Sequence, residues 1–277
     1  MQSFNSKNLD PKNKYIYNII KTITEQKQKI AQKEKWSDGV AHLWIKTVFI
    51  NKKECINMAM RDKVTVQCPR CGKSFEVEQW SAINGDKNPQ QKLKLLNDTL
   101  FTVTCTKCGK ENTVGYPMLY SDPKENYMIW LVFDDEEVKH ITDYFKSSKT
   151  EINENGEDVD KECRQRIVRD SHRLREKIMI FDSGLDDKII EIAKLAYAQT
   201  AQRQLSDDRI AAAFFSNTDG ENRIEMYTEN GNAFVSKLSR DIYNQLEDKY
   251  GGKASYAEDR VYIIDDVWAL NLLRAFN

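Results

Sequence analysis

Four cysteines stand in two matching runs, Cys68-Pro69-Arg70-Cys71-Gly72 and Cys105-Thr106-Lys107-Cys108-Gly109. Two residues between cysteines let both thiolates of a run reach the same ion from a tight turn. The glycine that follows can take positive φ without a Cβ clash, which turns backbone N–H groups toward sulfur. Two copies of this device predict one tetrathiolate site holding a single zinc ion, with Cys68, Cys71, Cys105 and Cys108 as its ligands. The same thiolates also suit a rubredoxin-like iron, which stays open as the alternative. Every coordination position is thiolate, so water and substrate are shut out and the ion is expected to be structural. On this reading the ion holds two hairpins too small to fold alone, and loss of one ligand is expected to unfold residues 64–133.

The other residue types capable of chemistry fall into no comparable pattern. His42, His140 and His172 form neither a His-Glu-x-x-His pair nor the His-x-Glu that precedes the cysteines of a zinc deaminase. Gly72-Lys73-Ser74 matches the end of a phosphate-binding loop, but Gln67 stands where its first glycine belongs. The acid pairs Asp134-Asp135, Asp186-Asp187, Asp207-Asp208 and Asp265-Asp266 mostly open predicted elements, where capping accounts for them. Glu247-Asp248-Lys249 carries the Glu-x-Lys of many nucleases. With Asp265 it supplies the enzymatic alternative, a nuclease working in the C-terminal region. Cys55 and Cys163 read as ordinary thiols.

A cationic run follows. Arg164, Arg166, Arg169, Arg173, Arg175 and Lys177 fall within Lys161–Phe181, which reads as a single helix with Ile167, Leu174 and Ile178 as its apolar stripe. The charges then face solvent, either paired with the acidic 151–162 stretch or offered to an anionic partner such as nucleic acid. In the second case Arg164, Arg166, Arg169 and Arg173 are the contacts.

The elements that must position these groups are short and mixed. Val64–Gln67 alternates as a strand into the first knuckle, and Leu100–Thr104 as a strand into the second. Between them, Pro89 with Leu93, Leu96 and Leu100 predicts a helix over 88–100. Thr113–Tyr120 and Tyr127–Phe133 pair around Ser121-Asp122-Pro123, and a short helix spans Glu136–Lys146. A second helix follows at Asp186–Leu205. Next come a hairpin of Ile210–Phe215 with Arg223–Tyr227, a strand at Asn232–Val235 and a helix from Ser239 that stops at Gly251-Gly252. A strand at Arg260–Ile264 leads to a last helix capped by Asp265-Asp266. The fold class is α+β: a zinc-ribbon-like β module with a helical insertion, then helices and a small α+β domain. The predicted units are a helical extension over 1–57, the cysteine domain over 58–148, an acidic linker over 149–162, a helical segment over 163–205 and an α+β domain over 206–277. Residues 1–57 carry an alternative reading. Lys53-Glu54 can be encoded by a ribosome-binding sequence just upstream of Met58, so translation is equally expected to begin at Met58 or Met60.

Composition narrows the function classes. Lys plus Arg (42) nearly cancels Asp plus Glu (43) for a net charge of −1, so the whole molecule has no bias toward polyanions or membranes. No run approaches the roughly 18 apolar residues that span a bilayer. The paired spacing of four of the six cysteines reads as metal rather than as a disulfide framework, which points to the cytoplasm.

The first knuckle, Asn88-Pro89 with Leu93-Lys94 and Leu96-Asn97, and Leu100-Phe101 leading through Thr104 into the second knuckle together resemble the CpXC domain, a prokaryotic family named for its Cys-Pro-x-Cys knuckles. Tyr116-Pro117-Met118-Leu119-Tyr120 and Ile129-Trp130-Leu131 extend the likeness. Arg166-Ile167-Val168, Leu174-Arg175-Glu176-Lys177-Ile178 and Gly184-Leu185-Asp186-Asp187 resemble the helices that follow the domain in larger members. The resemblance covers about 64–277 and leaves 1–57 outside. Thr106 departs from the usual proline, at a cost in turn rigidity and not in ligands. It implies the four metal ligands and no reaction. The combined expectation is a zinc-binding, non-catalytic interaction or regulatory protein with a protein or nucleic-acid partner.

Overall fold

The computed structural model describes residues 59–148, 163–256 and 261–276. The expected helical extension over 1–57, the alternative start at Met58 and the acidic 149–162 stretch lie outside the described residues.

Period-two alternation builds the central sheet. Its order is β1 (Met60–Gln67), β2 (Ser74–Asn84), β5 (Met118–Asp122), β6 (Tyr127–Leu131) and β7 (Arg164–Val168). Met118 and Tyr120 of β5 and Tyr127, Ile129 and Leu131 of β6 enter one apolar cluster; Leu119, Met128 and Trp130 enter another on the opposite face. Both faces are therefore covered, which is why β5 and β6 are buried at every position. Helices α1 (Pro89–Leu96) and α3 (Ser171–Asp182) lie over the first face. Helix α2 (Asp135–Ser148) lies over the second, with Tyr262 beside it.

The pairing is mixed. Strands β1 and β2 are antiparallel, as are β5 and β6, but β2 runs parallel to β5 and β6 parallel to β7. The β2-to-β5 crossover contains α1 and the small hairpin of β3 (Thr102–Thr104) and β4 (Glu111–Thr113). A second sheet, β10-β9-β8, is formed by Ala233–Lys237, Glu221–Thr228 and Ile210–Thr218. It adds Phe215, Ile224 and Met226 to the same apolar cluster as α4 (Asp187–Gln202), α5 (Arg240–Tyr256) and α6 (Asp266–Phe276). One continuous core thus joins the central sheet to the C-terminal sheet and helices.

Where β2 meets β5, Gly85 N donates to Ser121 O at 2.8 Å. A Cβ on Gly85 would sit 2.1 Å from Tyr120 Oη and 2.9 Å from Asp122 Oδ2. Tyr120 is fully buried and cannot swing away. Gly85→Ala is therefore expected to destabilise the fold by about 1–3 kcal/mol through overpacking, read as a lower urea midpoint. Nearby, Lys92 of α1 reaches Asp122 (3.1 Å) and Asp182 (2.9 Å), tying the insertion helix to β5 and to the end of α3.

Several sequence expectations need correction. Lys161–Phe181 is not one helix. Arg164–Val168 is strand β7, hydrogen-bonded along β6, and α3 begins after Asp170, whose carboxylate accepts from Arg173 N. Ile167 and Leu174 stand one heptad apart and so mimic a helical stripe across a strand–helix junction. Helix α5 does not stop at Gly251-Gly252 but continues to Tyr256. Residues 261–264 form no regular strand; Ile167 N donates to Tyr262 O at 2.9 Å, and Ile264 is buried. Strand β2, the longest in the main sheet, is implied by the first expected hairpin but has no range in the sequence expectations. Among the described residues no helix is long and apolar enough to cross a membrane.

Candidate metal centre

Each knuckle closes a hairpin, the first between β1 and β2 and the second between β3 and β4. The two turns are built alike. Gly72 N donates to Cys68 O (2.9 Å) and Cys68 N to Lys73 O (2.9 Å); Gly109 N donates to Cys105 O (3.0 Å) and Cys105 N to Lys110 O (2.9 Å). Both glycines take positive φ, +70° and +65°, a conformation open to glycine at little steric cost. The positive-φ glycine expected from the sequence is present in both copies.

The knuckles face each other with their sulfurs crossed. Cys68 Sγ lies 3.7 Å from Cys108 Sγ, and Cys71 Sγ lies 3.6 Å from Cys105 Sγ. All four ligand atoms fall within 4.8 Å of one another. Metal–sulfur bonds of about 2.3 Å in a tetrahedron give sulfur–sulfur edges of about 3.8 Å, so the cluster is the right size for a tetrahedral tetrathiolate. Cys68 and Cys105 are buried, while Cys71 and Cys108 are half-buried. The electrostatics call for a cation. Burial pushes the Cys68 thiol up, but N–H groups of Cys71 and Arg70 pull it down to about 6. N–H groups of Cys108 and Lys107 likewise lower Cys105. An N–H from Lys73 favours the Cys71 thiolate, yet burial and the three neighbouring sulfurs drive that thiol up to about 11. Four thiolates at this spacing ionise together only around a positive ion.

Neither apolar cluster includes a knuckle residue. The sulfurs are therefore what joins the tips of the two hairpins. Strands β5 and β6 lie instead within the core sheet, between β2 and β7. Loss of a ligand is accordingly expected to act on the two hairpin tips first, rather than on all of 64–133.

The arginines expected to share one face do not. Arg166 is buried and makes a bidentate contact with Asp187, at 2.8 and 2.9 Å. Arg169 pairs with Asp135, and Arg173 with Asp266 (2.9 Å) and Asp170 (3.4 Å). Arg164 remains exposed, with its guanidinium 4.6 Å above the Phe181 ring and a bond to Leu185 O. The two acids of the enzymatic alternative have local partners as well. Asp265 caps α6 through Trp268 N, and Glu247 accepts from Tyr243 Oη at 3.3 Å. Among the described residues, the four cysteines are the group of metal-ligating side chains that converges.

Two features escaped sequence reasoning. A buried ion network links β7, α3 and α4, and its signal was the Asp187, Glu191, Lys194 spacing along one helix face. The second is the set of cations repeated within the knuckles at Arg70, Lys73, Lys107 and Lys110.

A mixed α+β scaffold carrying two crossed cysteine knuckles thus presents a four-cysteine cluster that could hold a metal ion. Residues 66–194 match the model of the family described as CpXC protein, so that segment is similar to the CpXC domain. No curated protein and no solved structure matches the chain.

Proposed function

We propose that this chain is a zinc-binding interaction protein, with one structural zinc held by Cys68, Cys71, Cys105 and Cys108. It acts by binding a protein or nucleic-acid partner and not by catalysis. The observation that carries the reading is the crossed sulfur cluster, whose edges suit a tetrahedral ion and whose four ligands leave no open position. Structural zinc sites are closed in this way, whereas catalytic ones keep a place for water. Thiols poised for metal rather than for disulfides fit a reducing cytoplasm.

Metal analysis of the full chain by native mass spectrometry tests this directly. The expected result is a colourless protein carrying one zinc per chain. A visible iron–thiolate absorption, or protein that stays metal-free after refolding in zinc, overturns it.

A further inference from the structure

We propose that the tip of the metal arm docks on the phosphate backbone of a nucleic acid through Arg70, Lys73, Lys107 and Lys110. This deepens the reading above and rests on it, because the shared ion is what holds the two knuckles side by side.

The arm is built to reach outward. No residue of β1 is buried, and the first half of β2 alternates between exposed and half-buried before its last four residues enter the core. All four cations at the tip are exposed, and their side chains enter no ion pair among the described residues. Six cations elsewhere in the chain, Lys92, Arg166, Arg169, Arg173, Lys177 and Lys194, each engage a carboxylate instead.

Their arrangement follows from the crossed sulfurs. Arg70 and Lys107 occupy the same place in the two knuckles, between the cysteines, while Lys73 and Lys110 each follow the trailing glycine. Each cation lies one or two residues from a ligand, so all four fall within a patch roughly 20 Å across. That spans several consecutive phosphates of an extended strand. The net formal charge at the tip stays positive after the tetrathiolate and the neighbouring Glu111 are counted; Glu76 is occupied by Lys63 at 3.9 Å.

The chemistry between the cations selects the partner class. Pro69, Gly72, Thr106 and Gly109 are the exposed residues interspersed with them, and none offers the aromatic or large aliphatic anchor around which a protein interface forms. Lysine is itself depleted in such interfaces. Phosphate backbones, by contrast, are held by charge alone, with affinity driven by counterion release. Contacts of this type position a nucleic acid without reading its sequence.

The test uses the zinc-loaded full chain and fluorescein-labelled, mixed-sequence RNA and DNA oligonucleotides in fluorescence anisotropy. Four phosphate contacts predict an affinity that drops on the order of a hundredfold between about 50 and 200 mM salt on a duplex. The double reversal Arg70→Glu/Lys107→Glu should weaken binding at least about tenfold at low salt and flatten the salt dependence by about half, since two of the four contacts go. Zinc content and the unfolding midpoint should not change. Arg70→Lys/Lys107→Arg should keep wild-type affinity. Full zinc occupancy without binding at low salt overturns this inference alone, as does binding that the reversal leaves intact. Preferential retention of polyglutamate would also overturn it, in favour of an acidic protein partner. A wild-type protein that holds no metal removes the metal reading first, and this inference with it.

Discussion

Asn in place of Asp187 should lower the unfolding free energy by about 3–5 kcal/mol, a large share of the stability of an ordinary domain. Asp187 is wholly buried, and its carboxylate faces the Arg166 guanidinium on two bonds and Lys177 Nζ at 2.9 Å. The network continues inward. Lys177 reaches Glu191 at 3.1 Å, Lys194 sits 2.9 Å from both Glu191 and Glu176, and Glu176 accepts from Phe215 N at 2.6 Å. Strand β7, helices α3 and α4 and strand β8 are thus bound through one chain of charges. Removing the Asp187 charge leaves two buried cations short of a counter-charge, and the desolvation of each is no longer offset. Arg166→Met combined with Asp187→Leu should cost much less than either change alone, because no member of that pair is then stranded.

Acid should act on the same group. Burial alone would raise the Asp187 carboxyl, but Arg166 and Lys177 outweigh it and hold the group well below the usual carboxylate range. A carboxyl depressed in the folded state adds stability that is complete above its unfolded pKa of about 3.9 and is lost as pH falls below that value. Glu176 works in the opposite sense: burial raises it more than Lys194 lowers it, so its protonation returns some stability on acidification. Urea midpoints of wild type and Asp187→Asn should accordingly lie far apart at pH 7 and converge at the acid end. A gap below about 0.5 kcal/mol at pH 7 would show that the network contributes little.

Removal of the metal should have the second large effect, confined to one end of the molecule. Structural zinc contributes on the order of 10–16 kcal/mol of apparent binding free energy in small finger peptides, all of it coupled to local folding. Here neither knuckle belongs to an apolar cluster, so that coupling falls on the two hairpin tips. Chelation, or Cys71→Ser, should abolish hydrogen-exchange protection at the amides of Cys68, Gly72, Cys105 and Gly109, which donate within the turns. Amides of β5 and β6, hydrogen-bonded inside the core sheet, should stay protected. Retained protection at the turns would deny the ion a structural role. Loss across β5 and β6 would restore the wider dependence of residues 64–133 that the sequence suggested.

Some of this structure could be read locally. The knuckles were legible because their chemistry is short-range: two residues between thiols set the bite, and a glycine permits the turn. The β8–β9 hairpin was legible for a similar reason, with Asp219 and Gly220 both at positive φ in its turn. The final helix showed its start through Asp265, a cap acting over three residues. Each of these depends on neighbours in the chain.

The arginine segment depended on distant ones. Arg164–Val168 became a strand because Tyr127–Leu131 offered a parallel edge, and nothing in residues 161–181 encodes that pairing. Arg166 and Lys177, read as solvent-facing, were drawn inside because Asp187 and Glu191 arrive from α4 to neutralise them. Gly251 and Gly252 passed as a helix end, yet they continue one whose Tyr243 and Ala254 pack into the core. By itself, then, the sequence determined which four cysteines converge, the shape of their turns and the α+β class. The tertiary structure decided which charges are buried and which remain free, because burial is set by what packs across a gap and not by what lies next along the chain.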